Sequence, residues 1–212
     1  AAIDCRVDKV LALSTDKAVS PVNLYGATKL CAEKMFIQGN SYTGGSIKIS
    51  CVRYGNVIGS RGSVVPLFKK QKEEGVLTLT DKRMTRFWIT YEQAIGLVIK
   101  SLENMVGGEV FVPKIPSMRI LELAKAIGPE CELREIGIRH GEKIHEVLIT
   151  QGEARNTYEF DEYYLVEPQY RWWDKANMKG GKKVDKEFVY SSDNNEKWLS
   201  IEELNGMIKD ME

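Results

Sequence analysis

The sequence lacks any run of about 18 apolar residues, the minimum that predicts a membrane-spanning helix, and any stretch with the pattern of a secretory signal peptide. Its four cysteines are scattered and show no CxxC spacing. That distribution argues against a metal site or a disulfide framework and is typical of free thiols in a reducing compartment. We therefore expect a soluble, cytoplasmic protein without a metal ion and without a membrane partner.

An excess of charge of either sign is also missing, because 30 basic and 30 acidic residues cancel. A chain without a positive excess gives no indication of nucleic acid or another polyanion as its partner. The length of 212 residues is enough for one good hydrophobic core, or for one domain with a smaller lobe.

A third absence is the glycine-rich turn G-x-G-x-x-G, which normally lies between the first strand and the first helix of a dinucleotide-binding fold. Gly55, Gly59 and Gly62 do not replace it, because they follow a later predicted strand and have a different spacing. The chain therefore shows no pyrophosphate-binding turn of this type.

One stretch nevertheless has the features expected of an active site. An apolar run predicts a buried parallel strand over residues 9–14, and a helix is predicted from Leu24 to about Asn40. The loop between a strand end and a helix is where open α/β sheets bind ligands. The apolar residues of the helix are expected in the core, namely Leu24, Ala27, Leu30, Met35 and Phe36.

Tyr25 and Lys29 are four residues apart and therefore share one face of that helix. A tyrosine hydroxyl is a poor base at neutral pH, but a cationic lysine one turn away favours the phenolate. Tyr25 would then remove the proton from a substrate hydroxyl, and Thr15 or Ser14 would hydrogen-bond to the same oxygen. On spacing alone, a helix with one aromatic residue and one solvated lysine explains the pattern equally well.

Asp16 and Lys17 lie side by side directly after the predicted strand. An acid next to a potential base suits the elimination of water, since one group protonates a leaving hydroxyl while the other removes a proton from carbon. A solvated Asp–Lys pair in a surface loop is the alternative explanation.

Together with later motifs, these residues resemble the extended short-chain dehydrogenases/reductases of polysaccharide biosynthesis. The later motifs are RYGNVIGSRGSVVP at 53–66, MTRFWIT at 84–90, GEVFVPKIPSM at 108–118 and GIRHGEKIHE at 137–146. Within that family the chain is similar to the small soluble, inverting UDP-N-acetylglucosamine 4,6-dehydratases of the pseudaminic acid pathway. Two positions indicate this branch: Lys17, where related dehydratases usually have Glu, and Tyr25, where large membrane-bound relatives usually have Met.

The resemblance implies an α/β fold that combines the C-terminal part of a Rossmann-like parallel sheet with a smaller α+β substrate-binding lobe. We predict that residues 1–115 form the NADP-binding part with interleaved substrate segments, and that residues 116–212 form the substrate-binding lobe and the C-terminal tail. Because the first strands of the family are missing, the chain is expected to be the C-terminal part of a longer, homo-oligomeric enzyme, and as a fragment it can be inactive.

The resemblance also implies individual roles for site residues. The expected catalytic residues are Thr15, Asp16, Lys17, Tyr25 and Lys29. The expected contacts to the cofactor NADP come from Tyr25, Lys29 and Val57. The expected contacts to the substrate, UDP-N-acetylglucosamine, come from Asn56, Arg61, Arg86, Arg139 and Glu142. For Arg61 a solvated loop cation is the alternative, His145 is expected to be structural, and Trp172 and Trp173 are expected to pack on the lobe.

The implied reaction oxidises C4 of the sugar transiently, eliminates the 6-hydroxyl and inverts C5, giving UDP-2-acetamido-2,6-dideoxy-β-L-arabino-hexos-4-ulose. Two alternatives stay open. A UDP-sugar 4-epimerase would use Tyr25 and Lys29 but would not need Asp16 and Lys17. A non-catalytic fragment that binds a nucleotide sugar would agree with the missing glycine-rich turn.

Overall fold

The computed structural model describes residues 1–60, 63–168 and 178–209. The strands, in chain order, are β1 (Lys9–Thr15), β2 (Lys48–Tyr54), β3 (Asn56–Val57), β4 (Val76–Leu79), β5 (Thr85–Ile89), β6 (Val110–Pro113), β7 (Ser117–Arg119), β8 (Glu132–Glu135), β9 (Val147–Ile149), β10 (Thr157–Glu159), β11 (Tyr163–Val166), β12 (Lys182–Lys183) and β13 (Tyr190–Ser191). The helices are α1 (Leu24–Thr43), α2 (Val64–Lys72), α3 (Tyr91–Asn104), α4 (Ile120–Ile127), α5 (Gln151–Ala154) and α6 (Ile201–Lys209).

The chain divides into two compact units that alternate along the sequence. The first unit comprises Ala1–Tyr54, Glu92–Lys114 and Val147–Tyr190, and the second comprises Gly55–Tyr91, Ile115–Glu146 and Ser191–Glu212. The division predicted from the sequence, between residues 115 and 116, stays a prediction.

The first unit is built on a six-stranded sheet in the order β1-β2-β6-β11-β10-β12. The pairs β1–β2 and β2–β6 are parallel, and the remaining three pairs are antiparallel. Parallel neighbours need a crossover connection, which α1 supplies between β1 and β2. The predicted fold class, α/β with a parallel sheet, is confirmed, and β1 confirms the strand predicted over residues 9–14.

Helix α1 begins at Leu24, as the sequence predicts. The side chain of Asn23 accepts a hydrogen bond from the backbone N–H of Gly26 at 2.8 Å, and Gly44 ends the helix with a left-handed backbone at φ +59°. Although α1 has 20 residues, no helix in the described part of the chain is both long and apolar enough to cross a membrane.

The expectation that apolar residues of α1 lie in the core is wrong for Leu24, Met35 and Phe36, which are 80, 73 and 42% exposed. The buried positions of this helix are instead Gly26, Glu33, Ile37 and Asn40. The amide of Asn40 donates to the carbonyl oxygen of Ile49 in β2 at 2.7 Å and accepts from the Ile49 N–H at 3.0 Å. Polar bonds to the sheet therefore determine which face of α1 is buried.

The second unit contains two small sheets over one apolar core. In one sheet β3 pairs parallel with β5, which pairs antiparallel with β7; in the other, β4 pairs parallel with β8. Residues from α2, α4, α6 and these strands fill the core, among them Phe68, Leu77, Met84, Trp88, Met118, Leu123 and Leu204. Gly55 precedes β3 and allows it to approach β5, since a Cβ there would lie 2.6 Å from the Cβ of Phe87.

Candidate functional site

The cluster of predicted catalytic residues begins at the carboxyl end of β1. A 3-10 turn formed by Asp16–Ala18 follows the strand directly, and Thr15 is its N-cap. The Thr15 hydroxyl oxygen accepts a hydrogen bond from the Lys17 N–H at 3.3 Å, and the hydroxyl donates to Asp16 Oδ1 at 2.8 Å. Three of the predicted catalytic residues are thereby joined by direct hydrogen bonds.

Asp16 and Lys17 form an ion pair within this turn. Both carboxylate oxygens of Asp16 lie 3.2 Å from Lys17 Nζ. The Asp16 side chain is 3% exposed and the Lys17 side chain 34% exposed. The carboxylate of the pair is thus shielded from water, while its ammonium partner still reaches solvent.

Gly26 brings the first turn of α1 onto this 3-10 turn. A Cβ at position 26 would lie 2.4 Å from the carbonyl oxygen of Lys17 and 2.9 Å from the Cβ of Pro21. A distance of 2.4 Å to a backbone atom leaves no room for a side chain, so only glycine fits at this contact. The close approach places the residue before it, Tyr25, next to the turn that carries Asp16 and Lys17.

Tyr25 and Lys29 lie together on α1 as their spacing predicts. The Lys29 ammonium is 5.8 Å from the centroid of the Tyr25 ring, within the range of a cation–π contact. Tyr25 is 58% exposed, so its hydroxyl can be reached by a substrate. The roles assigned to these residues stay predictions.

The second unit contains a cavity of about 250 Å³. Among its lining residues are four that the sequence predicts to contact substrate (Asn56, Arg86, Arg139 and Glu142) and Val57, which is predicted to contact the cofactor. Arg61 lies outside the described residues, as do Trp172 and Trp173. Four substrate-contacting positions from three separate sequence motifs therefore converge on one cavity, while their roles stay predictions.

The walls of this cavity combine apolar side chains with a few polar groups. The apolar part includes Met84, Trp88, Met118 and Ile120. The polar part adds Thr78, Thr80 and Ser63, and within the described residues neither Ser63 Oγ nor Trp88 Nε1 has a hydrogen-bond partner. Ligand pockets usually measure roughly 300–1,000 Å³, so this smaller cavity suits one part of a nucleotide sugar better than the whole molecule.

Arg86 is engaged by the loop that precedes β9. Its Nη1 donates to the carbonyl oxygens of Thr85 at 2.7 Å and Ile144 at 2.9 Å, and its Nη2 donates to that of Lys143 at 3.0 Å. Its Nε lies 3.8 Å from Glu146 Oε1. In this structure, therefore, the guanidinium of Arg86 fixes the loop that shapes the cavity.

Arg139 is the more accessible cation at the cavity. Its side chain is 66% exposed, and its Nη1 lies 3.9 Å from Glu142 Oε1. Glu142 Oε2 is buried and has no hydrogen-bond partner among the described residues. The Arg139 guanidinium can turn its planar donor set to an incoming anion, and Glu142 has an acceptor oxygen to offer.

Comparison with known proteins identifies the family. A family model described as "Polysaccharide biosynthesis protein" matches residues 1–168. The chain belongs to the polysaccharide biosynthesis protein family. This confirms the resemblance found in its motifs.

Relatives of this family member include enzymes with two different names. Over 208 residues it is 50% identical to the UDP-N-acetylglucosamine 4,6-dehydratase (inverting) of Campylobacter jejuni, an alignment that covers 93% of this chain and 62% of the relative. Over 216 residues it is 39% identical to the UDP-glucose 4-epimerase of Rickettsia conorii, with 98 and 63% covered. The chain thus spans a little under two thirds of the length of these curated relatives.

Solved structures of similar proteins support the fold. Pen from Bacillus thuringiensis superposes with a TM-score of 0.85 at 35% identity, covering 99% of this chain and 64% of that one. The dTDP-glucose 4,6-dehydratase of Bacillus anthracis superposes with a TM-score of 0.53 at 16% identity, covering 66 and 55%. The second likeness bears on the fold alone.

One feature of this family member is missing from the sequence-based prediction: a buried ionic network around Arg53. Its guanidinium contacts the carboxylates of Glu33 in α1 and Glu153 in α5, and Glu33 also accepts from Ser14. Two signals in the sequence point to it. Glu33 follows Lys29 by four residues and so continues the face that carries Tyr25, and Arg53 interrupts an otherwise apolar buried strand.

His145 has a local partner in the second unit. Its Nδ1 lies 2.8 Å from Thr85 Oγ1, which in turn lies 2.7 Å from Ser192 Oγ. Its Nε2 lies 4.0 Å from Asp193 Oδ2. Within residues 1–60, 63–168 and 178–209, no group of three or more His, Cys, Asp or Glu side chains is placed to hold a metal ion.

Proposed function

We propose that the chain supplies the proton-transfer residues and the nucleotide-binding cavity of an NADP-dependent, inverting UDP-N-acetylglucosamine 4,6-dehydratase, which makes a precursor of pseudaminic acid for surface glycans. The observation that carries the proposal is the partly buried contact between Asp16 and Lys17, on a turn against which Gly26 packs directly after Tyr25. An elimination needs an acid and a base that act on neighbouring carbons. The 50% identity to the dehydratase of Campylobacter jejuni supports the assignment.

The residues of the first unit fit a nicotinamide cofactor. An exposed phenol and an ammonium group lie on one helix face beside the carboxyl end of a parallel strand, where open α/β sheets bind nucleotides. Tyr25 and Lys29 would contact the nicotinamide riboside end of NADP. When bound, the cofactor would accept a hydride from C4 of the sugar and return it to C6, so that no net oxidation occurs.

Tyr25 and Lys29 on α1 carry out the first step, the oxidation of C4. The Tyr25 phenolate takes the proton of the 4-hydroxyl, and the positive charge of Lys29 stabilises that phenolate. The Thr15 hydroxyl hydrogen-bonds to the same substrate oxygen. A 4-ketone results, and it makes the neighbouring C5 proton acidic.

The elimination falls to Asp16 and Lys17. The neutral amine of Lys17 removes the C5 proton, and the protonated carboxyl of Asp16 delivers its proton to the departing 6-hydroxyl, which leaves as water. The C5–H and C6–O bonds break and a C5–C6 double bond forms. Lys17 ends as a cation and Asp16 as an anion, which is the ion pair that the structure contains. Return of the hydride to C6 would then leave an enolate, and a proton from solvent on the opposite face of C5 would restore the ketone and invert that centre. Lys17 would pass its proton back to Asp16 before the next turnover.

Nucleotide recognition is assigned to the cavity of the second unit. Its apolar walls suit the flat, poorly hydrated faces of a base, and its few polar groups suit the hydroxyls of a ribose. Arg139 would bind the diphosphate, since a guanidinium fork matches phosphate oxygens. Asn56 would offer a neutral hydrogen-bonding group and Glu142 an acidic one. Arg86 would bind the diphosphate and would also hold the loop before β9 in place.

The proposal is tested by proton NMR of the complete protein with UDP-N-acetylglucosamine and NADP in deuterated buffer. A new C6 methyl signal, deuterium at C5 and couplings of the L-arabino configuration are expected. Lys17→Ala should abolish this product, whereas Lys82→Ala, which changes a surface lysine in the second unit, should not. Full turnover by Lys17→Ala would contradict the role of Lys17.

A UDP-sugar 4-epimerase is the second candidate, and the Rickettsia relatives of that name favour it. Such an enzyme would use Tyr25 and Lys29 and would leave the 6-hydroxyl in place. The same NMR experiment separates the two candidates, because an epimer has no C6 methyl group. Binding of UDP without any turnover would instead indicate a non-catalytic fragment.

A further inference from the structure

The buried network around Arg53 joins four elements of the first unit. Arg53, in β2, is 2% exposed. Its Nε donates to Glu33 Oε2 at 2.8 Å and its Nη2 to Glu33 Oε1 at 2.6 Å, which is a two-pronged contact with α1. The same Nη2 donates to Glu153 Oε1 at 2.7 Å, and Nη1 donates to the carbonyl oxygen of Leu148 at 3.1 Å.

The network keeps both of its carboxyl groups charged in the interior. Burial on its own raises the pKa of Glu33, but hydrogen bonds from Arg53 and Ser14 and the charge of Arg53 outweigh it, so the pKa is lowered. For Glu153 burial is again outweighed, by the charge and hydrogen bond of Arg53. Buried ion pairs are often no more stabilising than apolar side chains of the same volume. Stability alone is thus a weak explanation for this network.

One hydrogen bond connects the network to the candidate catalytic cluster. Ser14 Oγ donates to Glu33 Oε2 at 2.6 Å, and Ser14 is 7% exposed. Ser14 directly precedes Thr15 at the end of β1, and Glu33 lies one turn beyond Lys29. The bond therefore ties the strand that carries one half of the cluster to the helix that carries the other half.

We propose that Ser14, Glu33 and Arg53 are positioning residues for the sugar chemistry. They hold the end of β1 against α1. Thr15 and the Asp16–Lys17 pair therefore keep a fixed position relative to the helix face that carries Tyr25. The inference rests on the proposed function for its reaction. A displacement of about 1 Å between reacting groups can cost about 100-fold in rate, so a rigid tie at this point has a large effect on catalysis.

Glu153 provides a matched control inside the same network. Its Oε2 accepts from the Thr150 N–H at 3.0 Å and from the Thr150 hydroxyl at 3.1 Å, and so caps α5. It contacts Nη2 of Arg53 and, among the residues that the structure describes, forms no hydrogen bond with β1 or α1. Glu153→Gln removes a partly buried charge beside Arg53 but leaves the bond between Ser14 and Glu33 in place.

The test compares Ser14→Ala, Ser14→Thr and Glu153→Gln in the complete protein, by steady-state kinetics across pH and by thermal unfolding. Ser14→Ala should lower kcat at least tenfold and leave KM for the nucleotide sugar within twofold. In a plot of kcat against pH, it should also shift the acid limb, which is the part where kcat falls toward low pH. Ser14→Thr keeps the hydroxyl and should restore most of kcat. Glu153→Gln should lower Tm and leave kcat within threefold and the acid limb unmoved.

Several outcomes overturn the inference or separate it from the proposed function. Equal losses of kcat in Ser14→Ala and Glu153→Gln, or an unchanged kcat in Ser14→Ala, would show that the tie is only structural. If the wild-type protein forms an epimer without a C6 methyl group, the proposed function fails. The comparison of variants still decides the inference in that case, because an epimerase would use Thr15, Tyr25 and Lys29 as well. A wild-type protein without any turnover refutes both.

Discussion

Replacing Gly26 with alanine tests the geometry of the candidate site at its tightest point. The new Cβ would lie 2.4 Å from the carbonyl oxygen of Lys17, about 1 Å closer than the roughly 3.5 Å of an ordinary contact between heavy atoms. Because the oxygen belongs to the backbone of the 3-10 turn, the turn and α1 must separate. A separation of about 1 Å moves Tyr25 away from Asp16 and Lys17, and should lower kcat about 100-fold.

The same substitution should change stability much less than activity. Alanine is favoured over glycine in a helix by about 0.8–1.0 kcal/mol, whereas forcing extra volume into a packed contact costs about 1–3 kcal/mol. The net loss in free energy of unfolding should therefore be between about 0 and 2 kcal/mol. Urea unfolding and the NMR assay for the methyl product measure the two effects on the same preparation.

Gly96 in α3 is the matched control, because a Cβ there would have no heavy atom within 4 Å. Gly96→Ala should keep the wild-type kcat and raise the free energy of unfolding by up to about 1 kcal/mol. A Gly26→Ala protein with wild-type kcat would refute the conclusion that this contact positions the site. So would a loss of activity that merely follows a loss of folded protein.

Three further predictions concern acid stability, thiol reactivity and nucleotide binding. Arg53 holds the pKa of Glu33 below its usual 4.5, so the unfolded state binds more protons than the folded state near that pH. The resulting stabilisation is present above about pH 4.5 and is lost as pH falls through the pKa of the folded state. In a plot of the urea unfolding midpoint against pH, Glu33→Gln should therefore reduce the fall at acid pH, and an unchanged fall would contradict this. Burial raises the pKa of Cys51 to about 12, so a thiol reagent at pH 8 should label exposed Cys5 quickly and Cys51 only after unfolding; equal rates in the native protein would contradict it. Arg139→Ala should weaken UDP binding about tenfold, as measured by titration calorimetry, because a charge-assisted hydrogen bond contributes about 1.5–3 kcal/mol. An unchanged Kd would show that Arg139 does not bind the diphosphate.

The local architecture of the candidate active site could be predicted from sequence because its signals are local. An apolar run predicts β1, the sequence predicts that α1 begins at Leu24, and the spacing of Tyr25 and Lys29 predicts that they share a face of this helix; the structure confirms all three. Hydrophobicity alone predicts the wrong buried face for α1, because Leu24, Met35 and Phe36 are exposed. Asn40 is buried there instead because it bonds to the backbone of a strand that sequence patterns do not place beside it.

Contacts between distant parts of the chain lay beyond prediction for the same reason. Arg53 and Glu153 are 100 residues apart, and nothing near either residue indicates the other. For Arg86 the sequence predicts a contact to the substrate, and this role stays a prediction. Its observed acceptors are backbone carbonyls of Lys143 and Ile144, which no side-chain motif encodes. Sequence thus predicts which chemical groups are present, whereas the fold determines which partners they contact.

In the proposed reaction, the contact between Asp16 and Lys17 would also limit how the local charge changes when protons move. Both oxygens of one group lie 3.2 Å from the nitrogen of the other, so a proton that leaves one partner while the other gains one alters the dipole of the pair but not its total charge. A lone base would gain a full unit of charge at the same step. The pair would instead keep the net charge beside the reacting sugar constant throughout the elimination.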